Sequence, residues 1–379
     1  MYKDAMRAAW AEINITNLDF NIKKIKEKVG PGKKITAILK ADAYGHGSVK
    51  TATVLRANGI NSFGVATLSE AVRLRKAGFL LEEIIVLYPV QDPFVDTIIK
   101  HRLTPVVCDY KNAEAISRAA QKENIIIKGY IAVDTGMGRI GYNPDDSTSI
   151  EDIKMINNLH NFKIAGLLSH FATADEADKT YSSVQEQRYM VFYKKLINAG
   201  VPIPERTLAN SAAIMEIASS HYEMTRCGII LYGCYPSGEV DRKQLELRPA
   251  MSVKANIIHL KQVPAGTSIS YGRKFTTTKD SLIATIHIGY ADGLPRPYSN
   301  KGKVIVNGVF APIAGNICMD MCMIDVTHVP YVRLGDEVTI MGKDGIYEIT
   351  ADDIAKATDT INYEVVCGFG QRLPKVYVY

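Results

Sequence analysis

Up to about residue 233 the chain alternates short β-rich apolar runs with longer stretches of helical period, and nothing else in it restricts the fold as strongly. The runs fall at 35–40, 63–66, 83–88, 103–108, 126–134, 163–169, 205–210 and 224–231. Helical spacing occupies 48–58, 69–78, 112–123, 150–160 and 180–199. Ser69 with Glu70 opens one helix and Gly78 closes it, as ordinary start and stop signals. Strands alternating with helices specify a parallel sheet, and eight such units are the number in a (β/α)8 TIM barrel. A doubly wound open sheet satisfies the same alternation and stays open at this point.

In a barrel, chemistry sits at the carboxyl ends of the strands. The residues just after the runs are Lys40, Tyr88, Arg139, His170, Asn210 with Ser211, and Arg226 with Gly228, so one rim collects the unusual polar side chains. Ile35-Thr36-Ala37-Ile38-Leu39 delivers Lys40 into the polar turn Ala41-Asp42-Ala43-Tyr44-Gly45-His46-Gly47. A lysine buried at a strand end loses ammonium character, and a neutral amine attacks an aldehyde to form a Schiff base, which points to pyridoxal phosphate (PLP). The structural alternative is a strand-end lysine whose head reaches water.

Beyond residue 245 short strands at 251–263, 282–288, 303–306, 321–326, 337–341 and 375–379 are punctuated by turns such as Asp292-Gly293 and Asn307-Gly308. This rhythm predicts a mostly-β C-terminal domain containing one helix near 350–357. The expected organisation is an α/β barrel over 12–240 and a β-domain over 241–379, with residues 1–11 and the short strand Ala11 to Ile15 free to join the second. Basic and acidic residues number 45 and 40 and are interspersed, which leaves no basic block for nucleic acid. Met1 to Arg7 lacks the apolar core of a signal peptide and no 18-residue apolar stretch follows, so no membrane association is expected and the chain reads as cytoplasmic. The six cysteines show no zinc spacing and no metal is expected.

Several segments, in order, carry a more specific signal. They are Leu39-Lys40-Ala41-Asp42-Ala43-Tyr44-Gly45-His46-Gly47, Asp134-Thr135-Gly136-Met137-Gly138-Arg139-Ile140-Gly141, Ala209-Asn210-Ser211, Arg226-Cys227-Gly228-Ile229, Ser270-Tyr271-Gly272, Ile288-Gly289-Tyr290-Ala291-Asp292-Gly293 and Ile317-Cys318-Met319-Asp320. Together they resemble the alanine racemase family of fold-type III PLP enzymes over essentially the whole chain.

The resemblance implies a two-base interconversion of L- and D-alanine that supplies D-alanine for cell-wall peptidoglycan. It implies that Lys40 holds PLP, and that Tyr44, Ser211, the backbone at Gly228 and Ile229, and Tyr363 hold its phosphate with Asn210 alongside. Arg226 matches the family's partner to the pyridine nitrogen, and His170 its link toward the catalytic tyrosine. A guanidinium donates hydrogen bonds and takes up no proton, so that nitrogen stays neutral and the carbanion short-lived, which suits racemisation. Lys40 serves one face of the substrate and Tyr271 the other. A phenol of pKa about 10 needs a nearby cation to act as a base, and the resemblance supplies Arg139, which also meets the substrate carboxylate. In the family the tyrosine matching Tyr271 enters from the partner subunit, as do those matching Tyr290, Met319 and Asp320, so a homodimer with shared sites is implied.

Two positions depart from the family pattern. Ala132 stands where many members carry a carbamylated lysine that steadies the arginine, and Thr207 where many carry a histidine bonded to the pyridine-facing arginine. Serine racemisation remains an alternative, because a small pocket rejects one added hydroxyl weakly. A fold-type III decarboxylase conflicts with Arg226, since that chemistry uses a carboxylate at the pyridine nitrogen. A non-catalytic PLP-binding protein leaves the second domain without a purpose.

Overall fold

The computed structural model describes residues 8–370 and 372–379. After β1 (Ala9–Asn14) come eight strands: β2 (Lys34–Ile38), β3 (Ser62–Val65), β4 (Glu83–Val86), β5 (Thr104–Val107), β6 (Ile127–Ala132), β7 (Phe162–Leu168), β8 (Glu205–Thr207) and β9 (Met224–Cys227). They form one sheet in the order β8-β7-β6-β5-β4-β3-β2-β9, with every pair parallel. At the seam between β8 and β9 the Arg226 N–H donates to the Ala209 carbonyl at 3.0 Å, so the sheet curls into a nearly closed barrel rather than a doubly wound layer.

Strand alternation sorts the side chains. Ile85, Val106, Tyr130, Ala132, Leu168 and Met224 form a cluster of their own inside the barrel, while Ile84, Val86, Val107, Ile131 and Leu167 join, or pack toward, the apolar layer under the helices. Lys34, Glu83 and Glu205 each begin a strand and meet at the amino end. The Lys34 ammonium pairs with Glu83 at 2.7 Å and Glu205 at 3.0 Å, and the Tyr130 hydroxyl donates to Glu205. This polar plug closes the floor and leaves the opposite rim for chemistry.

Most of the remaining strands join β1 in a nine-stranded sheet around β10 (Met251–Val263). β10 pairs antiparallel with β1, with Ser281–Ile286 and with Glu337–Asp344, and β1 pairs parallel with the last strand, Lys375–Val378. The first and last strands thus lie side by side. The expectation for residues 1–11 falls on described residues only from Ala8 onward.

Several boundaries differ from expectation. β2 stops at Ile38, β8 at Thr207 and β9 at Cys227, after which Ile229–Tyr232 winds into a 3-10 turn. The short strand stops at Asn14, and Ile15–Val29 is a helix that sequence reading passed over. Its signals were Asn14, whose side chain accepts from the Asn17 N–H, and the buried series Leu18, Ile22, Ile25 and Val29.

Candidate active site

A cavity of about 930 Å³ opens at the carboxyl end of the barrel. Lys40, Tyr44, Tyr88, Arg139, His170, Asn210, Ser211, Arg226, Gly228, Ile229 and Tyr363 all line it. Lys40 is half-buried rather than buried among apolar side chains, a correction to the sequence expectation. The reason is that β2 ends two residues earlier and Lys40 opens a left-handed turn. Ala41, Asp42, Ala43 and Tyr44 have φ of 51°, 52°, 59° and 51°. Left-handed backbone costs a residue with a Cβ roughly 1–2 kcal/mol, so the four together store about 4–8 kcal/mol. The turn sets the Lys40 Nζ 6.0 Å from the centre of the Tyr44 ring, inside the cavity wall.

Four groups converge in the same cavity. The Gly228 N–H donates to Ser211 Oγ at 2.9 Å, and a Cβ built on Gly228 would lie 3.1 Å from the Tyr44 hydroxyl and 3.4 Å from Ser211 Oγ. Glycine therefore keeps open a small cradle of hydroxyls and backbone N–H groups. Tyr363 stands nearby, its ring 6.1 Å from that of Tyr44. Burial pushes the Tyr44 and Tyr363 phenols well above their ordinary pKa, so both remain neutral donors. Neutral hydroxyls and N–H groups on a glycine backbone are what a phosphate dianion requires. Asn210 faces the same cavity while its Oδ1 accepts from the Ala213 N–H at 3.1 Å, capping the short helix that begins at Ser211.

Arg226 is buried, yet no carboxylate meets it among the described residues. Its guanidinium donates to Thr207 Oγ1 at 2.5 Å, the Ser169 carbonyl at 2.5 Å, the Leu208 carbonyl at 3.3 Å and His170 Nδ1 at 3.2 Å. Its Nε has no acceptor among the described residues. Burial first, then the nearby Arg139, lowers its pKa to about 10, so it stays a cation at neutral pH. Since a guanidinium only donates, His170 Nδ1 must be the unprotonated nitrogen and Nε2 carries the proton. Burial, with the charges of Arg226, Arg139 and Lys40, holds the His170 pKa well below 6.5 and keeps the ring neutral.

Arg139 is exposed at the rim and has no ion-pair partner among the described residues. Ala132 lies buried in the barrel interior, where it offers no charge. Tyr271, Tyr290, Met319 and Asp320 do not line the cavity of their own chain. They form one patch on the second unit: the Tyr290 N–H donates to the Cys318 carbonyl, the Ala291 N–H to that of Met319, and Asn316 Nδ2 to that of Tyr271 at 2.7 Å. Tyr271 is 72% exposed and Met319 54%. Asp320 pairs with Arg372 at 2.6 Å. Sequence reasoning missed Asp175 and Cys367 of the cavity wall; Asp175 could have been found as a residue of the loop after β7.

Residues 13–236 match the family model of the alanine racemase N-terminal domain, and residues 250–377 that of the C-terminal domain. An alanine racemase of Clostridium kluyveri is 48% identical over 373 residues, which is 98% of this chain and 94% of the relative. The solved alanine racemase of Clostridium difficile 630 superposes with a TM-score of 0.94 at 40% identity, covering 99% of this chain and 97% of that one. That of Bartonella henselae, solved with covalently bound pyridoxal phosphate, gives a TM-score of 0.86 at 29% identity over 98% of this chain and 99% of its own. The barrel, the appended β-unit and these matches along nearly the full length agree, and the chain belongs to the alanine racemase family.

Proposed function

We propose that this enzyme interconverts L- and D-alanine with PLP held covalently by Lys40, working as a cytoplasmic homodimer whose D-alanine serves cell-wall peptidoglycan. The barrel within residues 12–240 holds the cofactor, and 241–379, joined in its sheet by β1, forms the domain that carries Tyr271. The observation that best supports this is the convergence of Lys40, Arg226 and the Tyr44–Ser211–Gly228 cradle on one cavity. An amine, a donor-only cation and a set of phosphate donors fit the aldehyde, ring nitrogen and phosphate of PLP. When bound, PLP supplies an aldehyde for the substrate amine and a conjugated ring that takes up the electron pair left at Cα.

The chain's residues do the rest. Tyr44, Ser211, Tyr363 and the N–H groups of Gly228 and Ile229 hold the phosphate, with Asn210 beside them. Arg226 donates toward the ring nitrogen without giving up a proton, because even with its pKa lowered to about 10 a guanidinium is far more basic than a pyridine nitrogen. His170, neutral and oriented by Arg226, offers its Nε2 proton to the network that reaches the second base. Lys40 takes or returns the Cα proton on the face of the D-enantiomer. Tyr271 of the partner subunit does so on the opposite face, where Arg139 steadies its phenolate and meets the substrate carboxylate. Tyr290, Met319 and Asp320 complete the pocket from the partner's side. The exposure of Tyr271, Tyr290 and Met319 as one patch on the second unit supports an intersubunit role.

Chiral chromatography of L-alanine and L-serine after incubation with protein and PLP tests this reading. Racemic alanine, deuterium from solvent at Cα, and loss of both in Lys40→Ala and Tyr271→Phe are expected. Turnover of serine in preference to alanine would redirect the substrate assignment, and full activity in Lys40→Ala would refute the mechanism.

A further inference from the structure

The left-handed turn that carries Lys40 contains no glycine from Ala41 to Tyr44, so something must hold it. Asp42 is the most connected side chain in the turn. Its Oδ1 accepts from the Ser48 N–H and hydroxyl, both at 2.8 Å, and faces Arg73 at 3.3 Å. Its Oδ2 pairs with Lys375 at 3.0 Å, and Lys375 also donates to the Gly370 carbonyl at 2.8 Å. Glu70 accepts from the Ala41 N–H at 2.7 Å, and His46 Nδ1 sits 3.1 and 3.0 Å from the carbonyls of Ala43 and Tyr44. The contact with the end of the chain is close throughout. A Cβ on Gly45 would come within 2.5 Å of the Val366 carbonyl, and one on Gly47 would collide with the Tyr377 hydroxyl.

We infer that Asp42 and Lys375 are positioning residues whose ion pair ties the turn bearing Lys40 and Tyr44 to the last strand, keeping both side chains set for PLP. The inference rests on the proposed bond between Lys40 and PLP. It differs from an ordinary surface pair in what the pair restrains. The side chains are only 29% and 18% exposed, and one of them lies within the strained segment itself. Without the clamp the turn relaxes toward right-handed backbone, and Lys40 and Tyr44 swing away from each other's partner groups.

The test titrates apo protein with PLP, follows the absorbance of bound cofactor, and maps the borohydride-reduced adduct by mass spectrometry. Asp42→Asn and Lys375→Met are each expected to weaken PLP binding about tenfold, the equivalent of losing restraint on about one left-handed residue. Lys375→Arg keeps the pair and is expected to bind like the parent. Adding Ala41→Gly to Asp42→Asn is expected to restore most of the lost affinity, because glycine adopts positive φ without strain. A role in general stability alone lowers the Tm of the apo protein and leaves PLP affinity, titrated well below that Tm, like the parent's. Parent-like PLP affinity in Asp42→Asn and Lys375→Met, or a loss that Ala41→Gly does not repair, overturns the inference. If Asp42→Asn does not fold, Lys375→Met, which lies outside the turn, decides alone. An adduct absent from Lys40 in the parent protein overturns the Lys40 reading itself, an outcome distinct from the others.

Discussion

Gly228→Ala puts the cradle to a direct test. The added methyl would sit 3.1 Å from the Tyr44 hydroxyl, closer than such contacts normally settle, so that oxygen must retreat by a few tenths of an ångström, and at 3.4 Å it would touch Ser211 Oγ. On the proposed assignment it also points into the space left for the phosphate. Hydrogen bonds to a charged group contribute about 1.5–3 kcal/mol each, so weakening two of them removes about 3 kcal/mol. That corresponds to PLP binding on the order of 100-fold weaker. Titration of apo protein with PLP measures it, and pyridoxal, which lacks the phosphate, is the control. Pyridoxal affinity is expected to change less than about threefold, since Lys40 and Arg226 are untouched by the methyl. PLP affinity left intact would refute the cradle, and an equal loss for PLP and pyridoxal would place the damage at the ring rather than the phosphate.

Lys34→Met removes the cation from the barrel floor and leaves Glu83 and Glu205 facing each other. Breaking a fully buried pair costs about 3–5 kcal/mol, and the partial exposure of these groups reduces it to about 2–3 kcal/mol, a fall in Tm of about 5 °C. Burial pulls the Lys34 pKa down, but Glu83 and Glu205 outweigh it and leave it raised. The stabilisation is therefore complete below the unfolded lysine pKa of about 10.5 and disappears as pH rises through the folded value. Denaturation curves should separate the two proteins at pH 7 and bring them together in strong alkali; coincident curves at pH 7 would reject the plug as a stabilising feature. Mixing Lys40→Ala with Tyr271→Phe subunits tests site sharing. Each variant alone is expected to be inactive, whereas random exchange regenerates one intact site in every mixed dimer, about a quarter of the unsubstituted enzyme's activity. No recovery would place both residues in one subunit's site.

The rim of the barrel was legible because strand ends are marked twice, by the close of an apolar run and by the start of polar chemistry. Lys40, Arg139, His170, Asn210, Ser211 and Arg226 all line one cavity for that reason. The hand of the turn after Lys40 was not legible. Ala41, Asp42 and Ala43 carry no signature of positive φ, and the restraints come from Glu70, 29 residues on in sequence, and Lys375, at the far end of the chain. Glu70 read as an ordinary helix start, which it also is, since its carboxylate accepts from the Thr67 N–H at 3.1 Å. One carboxylate thus serves a local rule and a distant one, and only the local rule leaves a trace in sequence. Thr207 shows the converse. Its side chain is shorter than the histidine many family members carry there, but β8 and β9 face each other across the barrel seam and the guanidinium reaches the hydroxyl at 2.5 Å. Proximity set by the closing of the barrel compensates for the missing length, so the substitution preserves the one property Arg226 needs there, a neutral acceptor.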